Sequence, residues 1–245
     1  MKYYDEFAEL YDELSMGLEG ELEFYLKEAK KAEGPVLEAG CGTGRILLPL
    51  LEAGIDAEGI DNSPGMLDIL KSKAREKGIR PRVRKSDMRN FRSKKKYGLI
   101  IVPYRAFLHV EKSEEQIRTL KNFKKHLRKR GRLILNFFYP DFDFMSRWNG
   151  KTTKQRKVKI KGKKHFLSEK TLYYPVEQLF RSIWTMRDSD GKTKKMLKMR
   201  ACYIYKKEFE LLLRIAGFRK WRVYGGFEKK KLKNKEQEMV WIIES

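Results

Sequence analysis

A glycine-rich segment follows the first apolar run of the chain and has the residue types of a ligand-binding loop. From Val36 to Arg45 it reads Val-Leu-Glu-Ala-Gly-Cys-Gly-Thr-Gly-Arg. Glycines adopt backbone angles that other residues avoid, and they let a ligand lie directly against the main chain. The GxGxG spacing differs from the GxGxxG of dinucleotide-binding loops, because Arg45 stands at the third glycine position. No Gly-Lys-Ser/Thr triplet follows, which excludes a phosphate-binding P-loop.

Asp61 ends the second apolar run, about 20 residues after the glycine loop. A carboxylate there can accept hydrogen bonds from both ribose hydroxyls, so the pattern indicates a nucleoside ligand. The alternative role for Asp61 is to cap the helix that starts at Pro64. Ser63 is better placed for capping.

These segments resemble the class I S-adenosylmethionine (SAM)-dependent methyltransferases. Residues 38–44 match the family's motif I, E/D-x-G-x-G-x-G, and Asp61 matches motif II. Ser86-Asp87-Met88-Arg89 is similar to the family's G-D-M-R segment, with Ser86 in the glycine position. The resemblance implies SAM as cofactor and S-adenosylhomocysteine (SAH) as product. The cofactor-binding residues it implies are Glu38, Gly40, Cys41, Gly42, Gly44, Arg45, Asp61, Asn62, Met66, Asp87 and Met88.

Three further residues are candidates for positioning the acceptor or removing its proton. The opening Tyr4–Asp12 is similar to the Y-x-x-x-A-x-x-Y-D entry of small-molecule methyltransferases, which makes Tyr11 a candidate. Tyr104 follows the fourth apolar run, and His109 stands where some aminosugar N-methyltransferases of this class have a histidine. A histidine suits proton removal near neutral pH. Aromatic packing for Tyr11 and a structural role for His109 remain equally open.

The predicted fold is α/β: a Rossmann-like, seven-stranded mixed sheet with helices on both faces. Residues 1–138 and 206–245 form the SAM-binding domain, and residues 139–205 form an antiparallel β lid inserted after the fifth strand. Asp190-Gly191 predicts a hairpin turn between the last two lid strands. A helix over 113–129 opens with a capping box of Ser113 and Gln116. The predicted lid strands are Gln155–Lys161, Lys164–Tyr174, Gln178–Arg187 and Lys194–Tyr205.

Composition limits the partners. The net charge is +23, and it is uneven: residues 1–70 hold 5 Lys and Arg against 16 Asp and Glu, whereas residues 71–245 hold 51 against 17. A basic surface favours anionic partners, so nucleic acid stays open. No apolar run is long enough to span a membrane. Two distant cysteines suggest no disulfide framework, which favours the cytoplasm. No metal site is predicted, and the oligomeric state is left open.

The sequence therefore favours methyl transfer from SAM to a small-molecule acceptor such as an amine. The segment Val102-Pro103-Tyr104-Arg105 lacks the [N/D]-P-P-[Y/F/W] of enzymes that methylate base amino groups. Two alternatives are kept. One is an RNA methyltransferase that uses the basic C-terminal part of the chain, and the other is a SAM-binding module without turnover.

Overall fold

The computed structural model describes residues 2–15, 17–160, 162–235 and 237–245. The helices are α1 (Lys2–Leu14), α2 (Glu21–Lys30), α3 (Leu47–Glu52), α4 (Pro64–Glu76), α5 (Ser113–His126), α6 (Phe142–Trp148) and α7 (Lys206–Ile215). The strands are β1 (Val36–Ala39), β2 (Ala57–Asp61), β3 (Arg82–Lys85), β4 (Tyr97–Val102), β5 (Leu127–Phe138), β6 (Arg156–Ile160), β7 (Lys163–Tyr174), β8 (Leu179–Arg187), β9 (Thr193–Cys202), β10 (Lys220–Gly225) and β11 (Glu238–Glu244).

The main sheet has seven strands over the described residues, in the order β10-β11-β5-β4-β1-β2-β3. Strands β1 to β5 are parallel, whereas β11 runs antiparallel to β5 and β10 antiparallel to β11. Alternate residues of β4 pack on opposite faces, as the pleat requires. Ile100 contacts the core under α5 and α7, whereas Leu99 contacts the core under α2, α3 and α4. The predicted mixed sheet with helices on both faces is confirmed.

A second, four-stranded antiparallel sheet is formed by β6, β7, β8 and β9, and its strands follow β5 in the chain. Its turn at Asp190-Gly191 is the predicted one, with Gly191 at φ 79°. Lys161, at the end of the first predicted lid strand, lies outside the described residues. Apolar side chains of this second sheet pack against α1, with Leu167 and Leu197 beside Leu10 and Leu14. The second sheet therefore covers the N-terminal helix.

Two local predictions were wrong, and one helix was missed. The helix predicted over 113–129 ends at His126, because Leu127 is buried and pairs with Tyr97 in the sheet. The capping box is absent: the buried amide of Gln116 instead donates to the carbonyl of Val110 at 2.8 Å. Helix α6 was not predicted. It is capped by Asp141, whose carboxylate accepts from two backbone N–H groups of the first turn.

Candidate active site

A cavity of about 430 Å³ lies at the carboxyl ends of β1, β2 and β4, where open α/β sheets bind their ligands. We call it the first cavity. The backbone of the glycine loop forms one wall, with Gly40 at φ 82° and Gly42 at φ 49°. A Cβ added to Gly42 would meet nothing within 4 Å, so the main chain faces open space there. Ten of the eleven predicted cofactor residues line this cavity: Glu38, Gly40, Cys41, Gly42, Arg45, Asp61, Asn62, Met66, Asp87 and Met88.

Gly44 is the exception. Its φ is +85°, and a Cβ there would approach Leu70 Cγ at 2.8 Å and Leu48 Cγ at 2.9 Å. Gly44 is therefore required for the close packing of α3 and α4 behind the loop, and it does not line the cavity. The Cys41 side chain also points into the core, since a Cβ at Gly59 would meet Cys41 Sγ at 2.7 Å.

Asp61 ties the end of β2 to the glycine loop. One carboxylate oxygen accepts from the N–H of Gly42 at 2.8 Å, and the other accepts from the N–H of Ser63 at 2.8 Å. Burial raises the pKa of Asp61, and these backbone hydrogen bonds oppose the rise. Each carboxylate oxygen can accept a second hydrogen bond. The predicted contact with ribose hydroxyls is compatible with this geometry.

Glu38 is buried beside the cavity, and its Oε2 atom has no hydrogen-bond partner among the described residues. Burial raises the pKa of this carboxyl well above its ordinary value. A buried, unsatisfied carboxylate oxygen costs free energy unless a ligand completes its hydrogen bonding. The ammonium group of SAM could donate to this oxygen and would lower the pKa of Glu38 by favouring its ionised form, so this wall of the cavity fits SAM.

The far end of the cavity carries an ion-pair network. Two guanidinium nitrogens of Arg89 reach the carboxylate of Asp87, and Arg89 also contacts Glu115 at 2.9 Å. Burial alone would raise the pKa of Asp87, but the hydrogen bonds from Arg89 outweigh it and the pKa is lowered. Asp87 is therefore an ionised hydrogen-bond acceptor at this end of the cavity. Arg89 and Glu115 were not predicted, because the pairing joins a loop to a helix far along the chain.

A second cavity of about 500 Å³ lies between the main sheet and the second sheet. Four residues line both cavities: Tyr4, Tyr11, Tyr104 and His109. All three predicted catalytic residues therefore lie where the two spaces meet. Sequence reasoning missed Tyr4, although it belongs to the same N-terminal motif as Tyr11. Burial raises the pKa of Tyr11 well above its ordinary value, so its phenol stays protonated.

His109 is held in one tautomer. Its Nδ1 lies 3.2 Å from the carbonyl oxygen of Arg200, which can only accept, so Nδ1 carries the proton. Nε2 therefore accepts from the Tyr4 hydroxyl at 2.7 Å. Burial lowers the pKa of His109 from 6.5 to about 4. The imidazole is neutral near pH 7, and the second sheet supplies one of its two partners through β9.

The turn after β4 is strained. Tyr104 and Arg105 have φ values of 51° and 64°, in the left-handed region that non-glycine residues rarely adopt. The Tyr104 N–H donates to Glu21 Oε1 at 3.0 Å and to Asn136 Oδ1 at 3.1 Å. Glu238 accepts from Asn136 at 2.7 Å and pairs with Arg105 at 2.8 Å. These bonds hold the Tyr104 ring at the junction of the cavities.

Arg45 joins this arrangement from the glycine loop. It pairs with Glu21 at 2.7 Å, and its guanidinium lies 4.7 Å from the centre of the Tyr104 ring. Helix α1 is fastened over the cavity by two aspartates. Asp5 accepts from Ser63 and Gly65, and Asp12 accepts from Thr43 at 2.6 Å and pairs with Lys73.

Within the described ranges, no cluster of three His, Cys, Asp or Glu side chains could hold a metal ion. No helix in that same part of the chain is long and apolar enough to cross a membrane.

Comparison with known proteins agrees with this geometry. Residues 36–131 match the family model described as a methyltransferase domain. The glycine/sarcosine N-methyltransferase of Halorhodospira halochloris is 31% identical over 141 residues, 55% of this chain and 53% of that protein. The cypemycin N-terminal methyltransferase of a Streptomyces species is 28% identical over 141 residues, 56% of this chain and 57% of that protein. The chain spans about half the length of the curated relatives it matches.

Similar solved structures extend the likeness over the whole fold. The CcbJ methyltransferase from Streptomyces caelestis has a TM-score of 0.83 at 22% identity, covering 98% of this chain and 96% of that chain. The SAM-bound amino pentose methyltransferase CalS10 from Micromonospora echinaspora has a TM-score of 0.66 at 18% identity, covering 99% and 92%. Residues 36–131 therefore match a methyltransferase domain, and the chain has the fold and the motifs of the class I SAM-dependent methyltransferases. It resembles the small-molecule N-methyltransferases of that class.

Proposed function

We propose that this protein transfers a methyl group from SAM to the nitrogen of a small-molecule amine. The observation that carries the proposal is the junction of the two cavities. The first cavity has the glycine loop, Asp61 and an unsatisfied buried oxygen of Glu38, which fit SAM. It opens at Tyr4, Tyr11, Tyr104 and His109 into a second cavity large enough for an acceptor.

Each of these residues of the first cavity would bind one part of SAM through a group that its side chain or backbone provides. Asp61 would accept from the ribose hydroxyls, Asp87 from the adenine amino group, and Glu38 from the amino group of the methionine part. The open space at Gly42 lets the main chain approach the ligand directly. When bound, SAM supplies a methyl group that its sulfonium already activates.

The protein then has to hold the acceptor next to this methyl group. Such positioning can lower the activation free energy by about 7–11 kcal/mol. The three tyrosine hydroxyls at the junction can accept N–H hydrogen bonds and so orient an amine. Helix α1 covers the junction with Tyr4 and Tyr11. His109 is neutral near pH 7, and we propose that the Tyr4–His109 pair receives the proton that the amine loses.

The relatives named above support an amine acceptor: one is named for N-methylation of glycine or sarcosine, one for methylation of the cypemycin N-terminus, and one for methylation of an amino pentose. None of them is described as acting on RNA. The free thiols of Cys41 and Cys202 agree with a reducing compartment, and we propose the cytoplasm.

Titration calorimetry with SAH tests the cofactor site. Asp61→Ala removes two charge-assisted hydrogen bonds and the ribose acceptor, so SAH affinity should fall by at least about 100-fold. Asp68→Ala, which removes an exposed carboxylate of α4, should leave affinity unchanged. Unchanged binding in Asp61→Ala would remove the ribose assignment.

Turnover is followed as SAH released in the presence of a panel of primary and secondary amines. His109→Ala should keep SAH affinity within about threefold and slow turnover by about 100-fold, in the range of general-base contributions. Full activity of this variant would make His109 a structural residue. SAH binding without turnover on amines, hydroxyl compounds or total RNA would favour a binding module without catalysis.

A further inference from the structure

The roof of the second cavity is a regular grid of side chains from the second sheet. Successive residues of a strand point to opposite faces, so residues two apart share a face. Every second residue of three strands lines the cavity: Glu169, Thr171 and Tyr173 on β7, Phe180, Ser182 and Trp184 on β8, and Leu197, Met199 and Ala201 on β9. The strand register places Glu169 opposite Trp184, and Trp184 opposite Leu197.

Apolar and aromatic side chains dominate the rest of the lining. Phe138, Tyr139, Phe144 and Met145 form the side towards β5 and α6. At the mouth, Phe144 is 53% exposed and lies beside Trp148, with ring centres 6.4 Å apart. An acceptor with an apolar or aromatic body would bury this surface, whereas a very small polar acceptor would leave most of it in contact with water.

The charged residues of the second cavity are neutralised by protein partners, with one exception that faces inward. Arg105 pairs with Glu238 at 2.8 Å. Lys235 pairs with Asp141 and Asp143. Glu169 receives only the Thr171 hydroxyl at 3.3 Å on its carboxylate, and it has no cationic partner among the described residues. Lys198 also borders the cavity, but the pleat directs its side chain away from the face shared by Leu197 and Met199.

The cavity therefore carries a carboxylate next to an indole ring, and the described residues place no cation without an acidic partner on its inner face. A carboxylate and an aromatic face together favour a cationic group. A substrate carboxylate would face Glu169 without a positive partner, so amino acids such as glycine are disfavoured at this site.

We propose that the acceptor site selects a monocationic amine with an apolar or aromatic body and no carboxylate, held by Glu169 beside Trp184. This inference rests on the proposed methyltransferase function, because it assigns the second cavity to the acceptor. It separates this protein from relatives named for glycine and sarcosine. Glu169 is a specificity-determining residue in this assignment.

Non-reactive probes test the assignment with SAH present at saturation. Choline and its neutral isostere 3,3-dimethylbutan-1-ol differ in charge alone, and benzyltrimethylammonium differs from tetramethylammonium by an apolar body. In the native protein we expect choline to bind at least about tenfold tighter than the alcohol. Benzyltrimethylammonium should bind at least about tenfold tighter than tetramethylammonium, and glycine more weakly than all of the cations.

Glu169→Gln keeps the size of the side chain and should bring the preference for choline over the alcohol to less than about threefold. The matched control is Glu177→Gln, which removes the same charge from an exposed turn of the second sheet and should keep the full preference. Glu169→Lys places a positive charge at this position. It should reverse the charge preference, so that phenylacetate binds more tightly than the cationic probes.

Two outcomes would overturn the inference. One is equal affinity of the native protein for choline and the alcohol, and the other is an unchanged preference in Glu169→Gln. SAH binding is measured in the same samples. Normal SAH affinity with no cation preference would refute this inference alone, whereas loss of SAH binding by the native protein would refute the proposed function itself.

Discussion

The imidazole of His109 is kept neutral by its surroundings. Its two ring nitrogens are engaged by the Arg200 carbonyl and the Tyr4 hydroxyl, and burial lowers its pKa from 6.5 to about 4. In the unfolded chain the same side chain gains a proton as the pH falls through 6.5, while in the folded protein it stays neutral down to about 4. The unfolded state therefore binds more protons within this window, so acid destabilises the fold.

His109 should make the stability of the protein depend on pH. Its contribution is fully present above 6.5 and is lost as the pH falls towards 4. Between about pH 7 and about pH 5, the free energy of unfolding should fall by about 2 kcal/mol more in the native protein than in His109→Gln. Urea unfolding at both pH values measures the difference. Identical pH dependence in the two proteins would contradict the lowered pKa.

At the scale of elements, the ends of β4, β5 and β11 cooperate to hold one strained turn. Asn136 on β5 is fully buried, and its side chain accepts from the Tyr25 hydroxyl and the Tyr104 N–H while donating to Glu238. Tyr25 belongs to α2, so this one amide joins a helix, the neighbouring strand and the turn after β4. The strain at Tyr104 and Arg105 persists because several bonds fix the turn from different sides.

Asn136→Ala should lower the free energy of unfolding by about 2–4 kcal/mol, because it leaves buried polar groups without partners. It should also release the Tyr104 ring and so reduce turnover. Asn90→Ala, at an exposed position, should change stability by less than about 0.5 kcal/mol. Urea unfolding of the three proteins provides the comparison. A loss below about 1 kcal/mol for Asn136→Ala would show that the turn is held without this amide.

The second sheet is attached to α1 by an apolar cluster that also includes Met66 of α4, and Asp5 and Asp12 fasten α1 to the main domain by polar bonds. These attachments can be separated. Leu167→Asp places a carboxylate in the cluster and should loosen the second sheet while the polar bonds of α1 remain. Acceptor turnover should fall by more than about tenfold, and SAH affinity should change by less than about threefold.

Lys163→Asp is the control for this variant, because it introduces the same carboxylate at an exposed position of β7. It should leave both quantities unchanged. If Leu167→Asp loses SAH binding as well, the second sheet is part of the cofactor site. Residues 139–205 would then not form a domain whose function is separate from that of residues 1–138 and 206–245.

At the scale of the whole molecule, the acidic N-terminal part of the chain provides internal partners for the basic remainder. Glu28 on α2 is the clearest case: its buried carboxylate pairs with Lys31, Arg132 and Lys229. Burial alone would raise the pKa of Glu28, but hydrogen bonds from these three cations lower it from 4.5 to about 2. The uneven charge along the chain is thus partly used to join α2 to β5 and to the loop before β11.

The remaining positive charge lies on the surface, and its effects should be separable from the active site by salt. Glu38 and Asp61 act inside a cavity, where screening is weak. Between about 50 and 200 mM salt, SAH affinity should change by less than about threefold, while binding of a non-specific RNA should weaken by more than about tenfold. Calorimetry measures the SAH affinity, and filter binding measures the RNA affinity. A steep salt dependence of SAH binding would show that surface charge contributes to the cofactor site.

Local sequence pattern was sufficient to predict most of the residues that line the first cavity. Residues 38–44 and Asp61 are close in the chain, and parallel strands bring their carboxyl ends to one edge of the sheet. Ten of the eleven residues predicted from such segments line the first cavity. Gly44 was the exception, because a glycine that faces a ligand and one that permits helix packing have the same sequence pattern.

Other features depend on contacts between distant parts of the chain. Tyr4 and His109 are 105 residues apart, and His109 and Arg200 are 91 apart, so no local spacing indicates either pair. The early start of β5 has the same origin, because pairing of Leu127 with Tyr97 overrides the helical pattern before it.

The sequence by itself determined the class of fold and most of the residues that line the first cavity, since both depend on strand order and short motifs. The tertiary structure decided the tautomer and pKa of His109, the strained turn at Tyr104 and the inward carboxylate of Glu169. Each of these features depends on burial and on partner residues from other elements. Neither the burial nor the partners exist until the chain has packed.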